Sequence, residues 1–359
     1  MHNTPRSWNF LPKAILVVAL GLATVGTSVL ADVVTDPVGF ITLQATTGPN
    51  RISFWGLSMT MLPEQKGSAT IISNSVTDAS AAFTANQWNS STAKPYELEI
   101  TSGPLAGVFS TVAGTEAPGT VYTADSITND SITASYLIRP IWTLRSAFGD
   151  VATANGFQGG TSGPVADNVS VWNPNAVPQT YVTYYYKTNS GGGGSGWRSG
   201  GNTGANRGDI PLYIDQGIQI LRRAASGNNV LLVGAVKLGQ TSSPIVGNNK
   251  LTYAANVYPY AFTLNNSGLK TSSSATGVQG GTSGPVADNV SIWNASASPQ
   301  TYVTYYYKTN SGGGGSGWRS GGNTGANRGD DVVPLGGTTQ ILRRGANGFY
   351  WIMPQPFVN

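Results

Sequence analysis

The sequence predicts an all-β protein made of two copies of one unit, either tandem β-sandwiches or partly open β-barrels formed by internal duplication. Three observations carry that expectation. Apolar segments such as 170–172, 181–187, 218–222 and 230–233 are short and rich in β-branched and aromatic residues, and Gly, Pro, Asn and Ser clusters bound them. No window of helical length shows a 3.6-residue apolar period with a cap and a stop. Finally, 158–209 recurs as 279–330 at an offset of 121, with four differences: Val171/Ile292, Pro174/Ala295, Asn175/Ser296 and Val177/Ser298.

Composition agrees with a folded chain of narrow chemistry. The 9 Trp, 16 Tyr and 10 Phe supply a core. The 47 Gly and 20 Pro in 359 residues stay below the level of an unperiodic disordered chain. Charged residues make up 10%, against the usual share of about 25%. With no cysteine, disulfides, thiolate metal sites and cysteine nucleophiles are excluded. His2 is the only histidine.

The first element, 1–31, reads as a signal peptide. Arg6 and Lys13 form its positive region, 14–30 is apolar, and Val29-Leu30-Ala31 before Asp32 has signal-peptidase spacing, so cleavage after Ala31 is expected. Gly21, Thr24, Gly26, Thr27 and Ser28 soften the stretch as a membrane anchor. Loss of the segment removes His2, and with it Ser-His-Asp chemistry and imidazole metal sites. The expected location is extracellular, on the cell surface or in the periplasm, with no later helical span. A net charge of +4, lower without Arg6 and Lys13, gives no footprint for nucleic acid.

The first β unit is 32–235, with an insertion near 62–138 that holds Glu64, Glu97, Glu99 and Glu116; the second is 236–359. Outside the near-identical block, Gln219-Ile-Leu-Arg-Arg223 maps onto Gln340-Ile-Leu-Arg-Arg344, and Trp142-Thr-Leu144 parallels Phe262-Thr-Leu264. Ile52-Ser-Phe-Trp55 parallels Leu251-Thr-Tyr253, and Thr35-Asp-Pro-Val-Gly39 is set loosely against Ser242-Ser-Pro-Ile-Val246.

The start Thr35-Asp-Pro-Val-Gly-Phe40, the triple-Tyr strand followed by Gly-Trp-Arg, the Gln-Ile-Leu-Arg-Arg strand and the close Trp351-Ile-Met-Pro-Gln-Pro-Phe357 carry a resemblance. The chain resembles an uncharacterised family of exported all-β proteins found as multiple paralogues in Verrucomicrobia. The resemblance implies export and β architecture; the family carries no established activity, substrate or catalytic residue.

Within each copy the aromatic hairpin is the most informative chemistry. Strand alternation puts Tyr181, Thr183 and Tyr185 on one face and Val182, Tyr184 and Tyr186 on the other. Tyr184 or Tyr185 with Trp197, and Tyr305 or Tyr306 with Trp318, are therefore candidate exposed platforms for stacking on sugars, with Arg198 and Arg319 beside them to hold a carboxylate or screen an edge. The competing expectation is cross-strand pairing that stabilises the sheet. The tract 188–196 with its four glycines reads as a mobile hairpin loop.

Other motifs are weaker. Gly191–Gly196 and 312–317 match the dinucleotide glycine pattern, but Trp-Arg-Ser-Gly-Gly follows where a helix N-terminus is needed. Arg207-Gly-Asp209 and Arg328-Gly-Asp330 spell an adhesive tripeptide, at turns where a charged pair is expected anyway. Glu97 and Glu99 share a strand face about 7 Å apart, either as a glycosidase pair or as the solvated face of an edge strand. Asp167 and Asp288 suit an Asx turn or a hard-cation site.

The reading is a secreted or cell-envelope β-protein with a structural or interaction role, no catalysis, no cofactor and no metal. Its partner is unknown; a glycan or another envelope protein is possible by chemistry. The first alternative is a carbohydrate-binding protein using the duplicated Tyr/Trp hairpins. The second is a polysaccharide-acting enzyme using Glu97 and Glu99.

Overall fold

The computed structural model describes residues 37–89, 94–150, 156–188, 193–225, 227–309, 314–322 and 324–355. The expected signal peptide and its cleavage point lie outside the described residues.

Strands β1 (Val38–Gln44) and β2 (Arg51–Trp55) open the first unit. Six strands follow, β3 (Gln65–Ser73), β4 (Ser75–Thr77), β5 (Tyr96–Ile100), β6 (Phe109–Glu116), β7 (Thr120–Thr123) and β8 (Thr128–Pro140). The first unit resumes with β9 (Trp142–Thr143), α1 (Leu144–Phe148), β10 (Asn168–Asn173), β11 (Thr180–Lys187), β12 (Gly196–Ser199), β13 (Pro211–Leu212), β14 (Ile218–Arg222) and β15 (Asn229–Ala235). The second comprises β16 (Thr241–Ile245), β17 (Lys250–Ala255), β18 (Phe262–Thr263), β19 (Asn289–Asn294), β20 (Thr301–Lys308), β21 (Gly317–Ser320), β22 (Val332–Val333), β23 (Thr338–Arg343) and β24 (Phe349–Met353). The fold is all-β.

The two copies share one topology. The first has a five-stranded sheet β12-β11-β10-β14-β2 and the pairs β1-β15 and β9-β13; the second has β21-β20-β19-β23-β17 and the pairs β16-β24 and β18-β22. Ile41 and Leu43 of β1 and Val230 and Leu232 of β15 turn inward onto Val169, Ile220 and Trp197 of the large sheet, so two layers share one core. Alternation leaves the other face of that pair outside, with Val38, Phe40, Leu231 and Val233 exposed.

Pairing also corrects one part of the copy alignment. Thr42 opposes Leu231 and Ser242 opposes Ile352; Leu231 and Ile352 are related by 121. Thr42 is thus the counterpart of Ser242, and the looser match of Pro37 with Pro244 fails, because strand register rather than local composition sets equivalence.

Strands β3 to β8 close into a six-stranded barrel in the order β3-β4-β7-β6-β5-β8. Register shifts at Ile71/Ser73 and Val112/Gly114 are the irregularities by which a sheet bends to closure. Ile71, Val76, Leu98, Ile100, Val112, Val121 and Ile138 fill its interior.

Helix α1 was not legible from periodicity, since five residues are too few to show one. It is set by capping instead: Thr143 accepts from the Ser146 N–H, and the Ser146 hydroxyl accepts from the Thr143 N–H. No helix among the described residues is long and apolar enough to cross a membrane.

The copies interlock reciprocally. Trp172 Nε1 and Gln179 Nε2 donate to the Leu251 carbonyl, both at 3.0 Å, and Leu251 N donates to Gln179 Oε1 at 2.9 Å. In return, Trp293 Nε1 donates at 3.0 Å and Gln300 Nε2 at 2.9 Å to the Ile52 carbonyl, and Ile52 N donates to Gln300 Oε1 at 2.9 Å. Each Trp/Gln pair satisfies the edge strand of the other copy, β17 or β2, and so caps an edge that would otherwise invite pairing. Between them Phe54 and its counterpart Tyr253 stack with centroids 5.7 Å apart. Residue i touching j while j's counterpart touches i's is the pattern of an isologous interface.

Candidate functional site

The duplicated hairpins are interior structure. Tyr184, Tyr185, Tyr305 and Tyr306 are buried, and Trp197, Arg198, Trp318 and Arg319 are each 1% exposed. The expected platform is thereby corrected. Both faces of the Tyr strand are covered, one by the unit's core and the other by the loop before β10, where Gly163 lies against the Tyr185 ring, as Gly284 does against that of Tyr306. Trp197 donates Nε1 to the Gly149 carbonyl at 2.8 Å and meets Tyr186 edge-on; Trp318 meets Tyr307 in the same way.

Arg198 neither holds a carboxylate nor screens an edge. Its Nη2 donates to the carbonyls of Gly193 and Gly194 and its Nη1 to that of Trp197, and Arg319 repeats this on Gly314, Gly315 and Trp318. A buried guanidinium thus organises the end of each glycine tract. Gly193 and Gly194 have positive φ, and a Cβ on Gly193 would sit 2.6 Å from the Gly204 carbonyl oxygen, which is why glycine is required there. Of the tract 188–196, expected as a mobile loop, residues 189–192 lie outside the described residues. A strand, β12, follows the tract where a dinucleotide site needs a helix.

Glu97 and Glu99 lie on a central barrel strand, not a solvated edge. β5 sits between β6 and β8 with all five residues buried. Glu97 faces Arg139 across the pair and accepts from its Nε at 2.6 Å. Glu99 is ion-paired with Arg139 Nη2 at 2.6 Å and with Lys237. Burial works to raise the Glu99 carboxyl, but the charges of Arg139 and Lys237 prevail and hold it below its ordinary value. A glycosidase's general acid needs the opposite shift.

Asp167 and Asp288 are likewise consumed. Asp167 accepts from Gln158 N, Arg223 N and Arg222 Nη1. Asp288 accepts from Gln279 N at 2.6 Å, Arg344 N at 2.7 Å and Arg343 Nη1 at 2.6 Å. These acids tie β14 and β23 to the loops before β10 and β19, a role that neither the Asx turn nor a cation site anticipated. Among the described residues no group of three His, Cys, Asp or Glu side chains could hold a metal. The Arg-Gly-Asp tripeptides are also anchored. Asp209 accepts from Arg145 Nε at 3.1 Å and Asp330 from Asn265 Nδ2 at 3.1 Å, with both glycines buried.

Sequence reading missed the place where barrel and copies meet. A cleft of about 750 Å³ opens there, with Phe109 and Asp125 from the barrel, Tyr213 and Asp215 from the first copy, and Tyr350 and Ser242 from the second. Thr111 Oγ1 and the Tyr213 hydroxyl lie 3.0 Å apart, and Ser243 Oγ donates to Asp215 Oδ2 at 2.7 Å. Burial lifts the Asp215 carboxyl to about 6, against the Ser243 hydroxyl that holds it down, and the Glu97 charge adds to the lift.

Between its ordinary value and about 6 the folded state binds more protons than the unfolded, so Asp215 costs stability progressively as pH rises through this window. Asp215→Asn should raise stability at pH 7.5 by about 1–2 kcal/mol, discounted for partial exposure, and the gain should vanish near pH 4. Thermal melts of both proteins across pH 4–8 check this; a pH-independent difference would contradict it.

No protein-family model, no curated protein and no solved structure matches the chain.

Proposed function

We propose that this chain is an exported β-protein of the cell envelope or exterior whose role is structural or interactive rather than catalytic. One observation supports the reading above the rest. The acids, guanidinia and indoles that the sequence offers for chemistry are spent on internal ties: Glu97 and Glu99 on Arg139 and Lys237, Asp167 on Arg222, Asp288 on Arg343, and Arg198 and Arg319 on glycine carbonyls. The reciprocal lock between the copies adds a mechanical rationale for the duplication. The leader-like segment and the resemblance to exported paralogous proteins of Verrucomicrobia are the support for location and family.

Two readouts on one strain test this. Protease shaving of intact cells, compared with osmotic-shock fractions, should find the protein in the envelope or outside. Incubation of the purified chain with a polysaccharide panel should release no reducing ends. Retention in the cytoplasm, or release that disappears in Glu97→Gln, Glu99→Gln, would overturn the reading.

A further inference from the structure

The offset of 121 gives the junction cleft a counterpart. It maps Tyr213 and Asp215 onto Pro334 and Gly336, and strand register maps Ser242 onto Thr42 and Tyr350 onto Asn229. Thr42, Pro334 and Gly336 line a second, smaller cleft of about 310 Å³. The backbone frame is the same on both sides: Ala255 N donates to the Asp215 carbonyl at 2.7 Å, and Gly56 N to the Gly336 carbonyl at 2.7 Å. The side chains are not. Copies that differ at four positions over 158–209 differ at every position from 210 to 218, where the cleft segment 213–216 reads Tyr-Ile-Asp-Gln against Pro-Leu-Gly-Gly. The junction cleft has the carboxylates of Asp125 and Asp215 and a third wall from the barrel; its counterpart, though lined by Phe54, Trp55 and Trp293, has neither a carboxylate nor a barrel residue in its lining.

We propose that the cleft between the barrel and the two copies binds a neutral polyhydroxylated ligand, a saccharide chain. The supporting chemistry is in its lining. Tyr350 is 58% exposed, and with half-buried Phe109 and Tyr213 it offers flat apolar faces suited to the C–H faces of sugar rings. Asp125 and Asp215 supply carboxylate acceptors for vicinal hydroxyls, and Ser110, Thr111 and Ser242 supply groups that both donate and accept. Among the described residues no Lys or Arg lines the cleft, so an anionic ligand would find no counter-charge there. A few convergent polar groups in an apolar concavity are the ordinary make-up of a small-ligand site. This goes beyond the structural reading without depending on it, since a polysaccharide bound but not cut satisfies both.

Affinity electrophoresis of the mature chain tests the proposal, in native gels cast with hydroxyethyl cellulose, xylan, glucomannan or laminarin, beside gels with anionic carboxymethyl cellulose and cationic chitosan. At least one neutral gel should retard the wild type. Tyr350→Ala and Asp215→Asn should each weaken that retardation about tenfold, with Asp125→Asn, at an exposed site, as the check on a poorly folded variant. Gln44→Ala, in the counterpart cleft, should leave it unchanged. No retardation by any neutral gel, retardation by chitosan alone, or equal retardation of wild type and cleft variants would overturn the proposal, whatever becomes of the reducing-end assay.

Discussion

Arg343→Leu is expected to lower the unfolding free energy by about 3–5 kcal/mol, because it leaves the Asp288 carboxylate buried without its cation. The Asp288 side chain has no exposure and that of Arg343 is 5% exposed. The guanidinium also donates to the carbonyls of Ser274 at 2.7 Å and Asn347 at 3.0 Å, so the leucine strands backbone acceptors as well. Arg222→Leu should behave alike in the first copy, where Arg222 serves Asp167 and the Gly156 carbonyl. Arg145→Leu is the contrast: its ion pairs with Asp150 and Asp209 join side chains more than a third exposed, and its loss should cost within about 1 kcal/mol. Denaturant titration of the three variants checks the order; equal effects would contradict the assignment of Asp167 and Asp288 as buried ties.

Trp197→Ala and Trp318→Ala should each cost about 3–5 kcal/mol, the range for truncating a buried Trp. Trp197 fills the space between Phe148 and Tyr186, and its indole N–H satisfies a carbonyl at the end of α1. Truncation therefore opens a cavity and leaves a part-buried acceptor unpaired. Calorimetry should show a lower melting temperature for either variant, and a variant melting with the wild type would contradict the packing.

The same tryptophans show what the sequence could and could not reveal. Alternation along 181–187 divided the rings between two faces, and the structure keeps that division: Tyr184 and Tyr186 join the first core cluster and Tyr185 does not. What alternation cannot say is whether a second layer covers the other face, and here a loop does. The repeat at offset 121 was visible because it is written residue by residue, and the shared topology follows it. For Glu97 and Glu99, spacing placed both carboxylates on one face, but their partners Arg139 and Lys237 stand far along the chain from Glu99, beyond any local pattern. The junction cleft was hidden for a similar reason, since barrel and copies meet there only after folding. Its sequence signal is no more than the divergence of 210–218 from 331–339 just beyond the homogenised block, a run in which 213–216 does not stand out.

The duplicated aromatic hairpins hold the fold and do not form the contact surface. Melting temperature and retention on the neutral polysaccharide gels, measured on one preparation of the double variant Trp197→Phe, Trp318→Phe, separate these two roles. A lower melting temperature with retention per folded molecule unchanged is the expected result. A double variant that melts with the wild type yet has lost retention would contradict it.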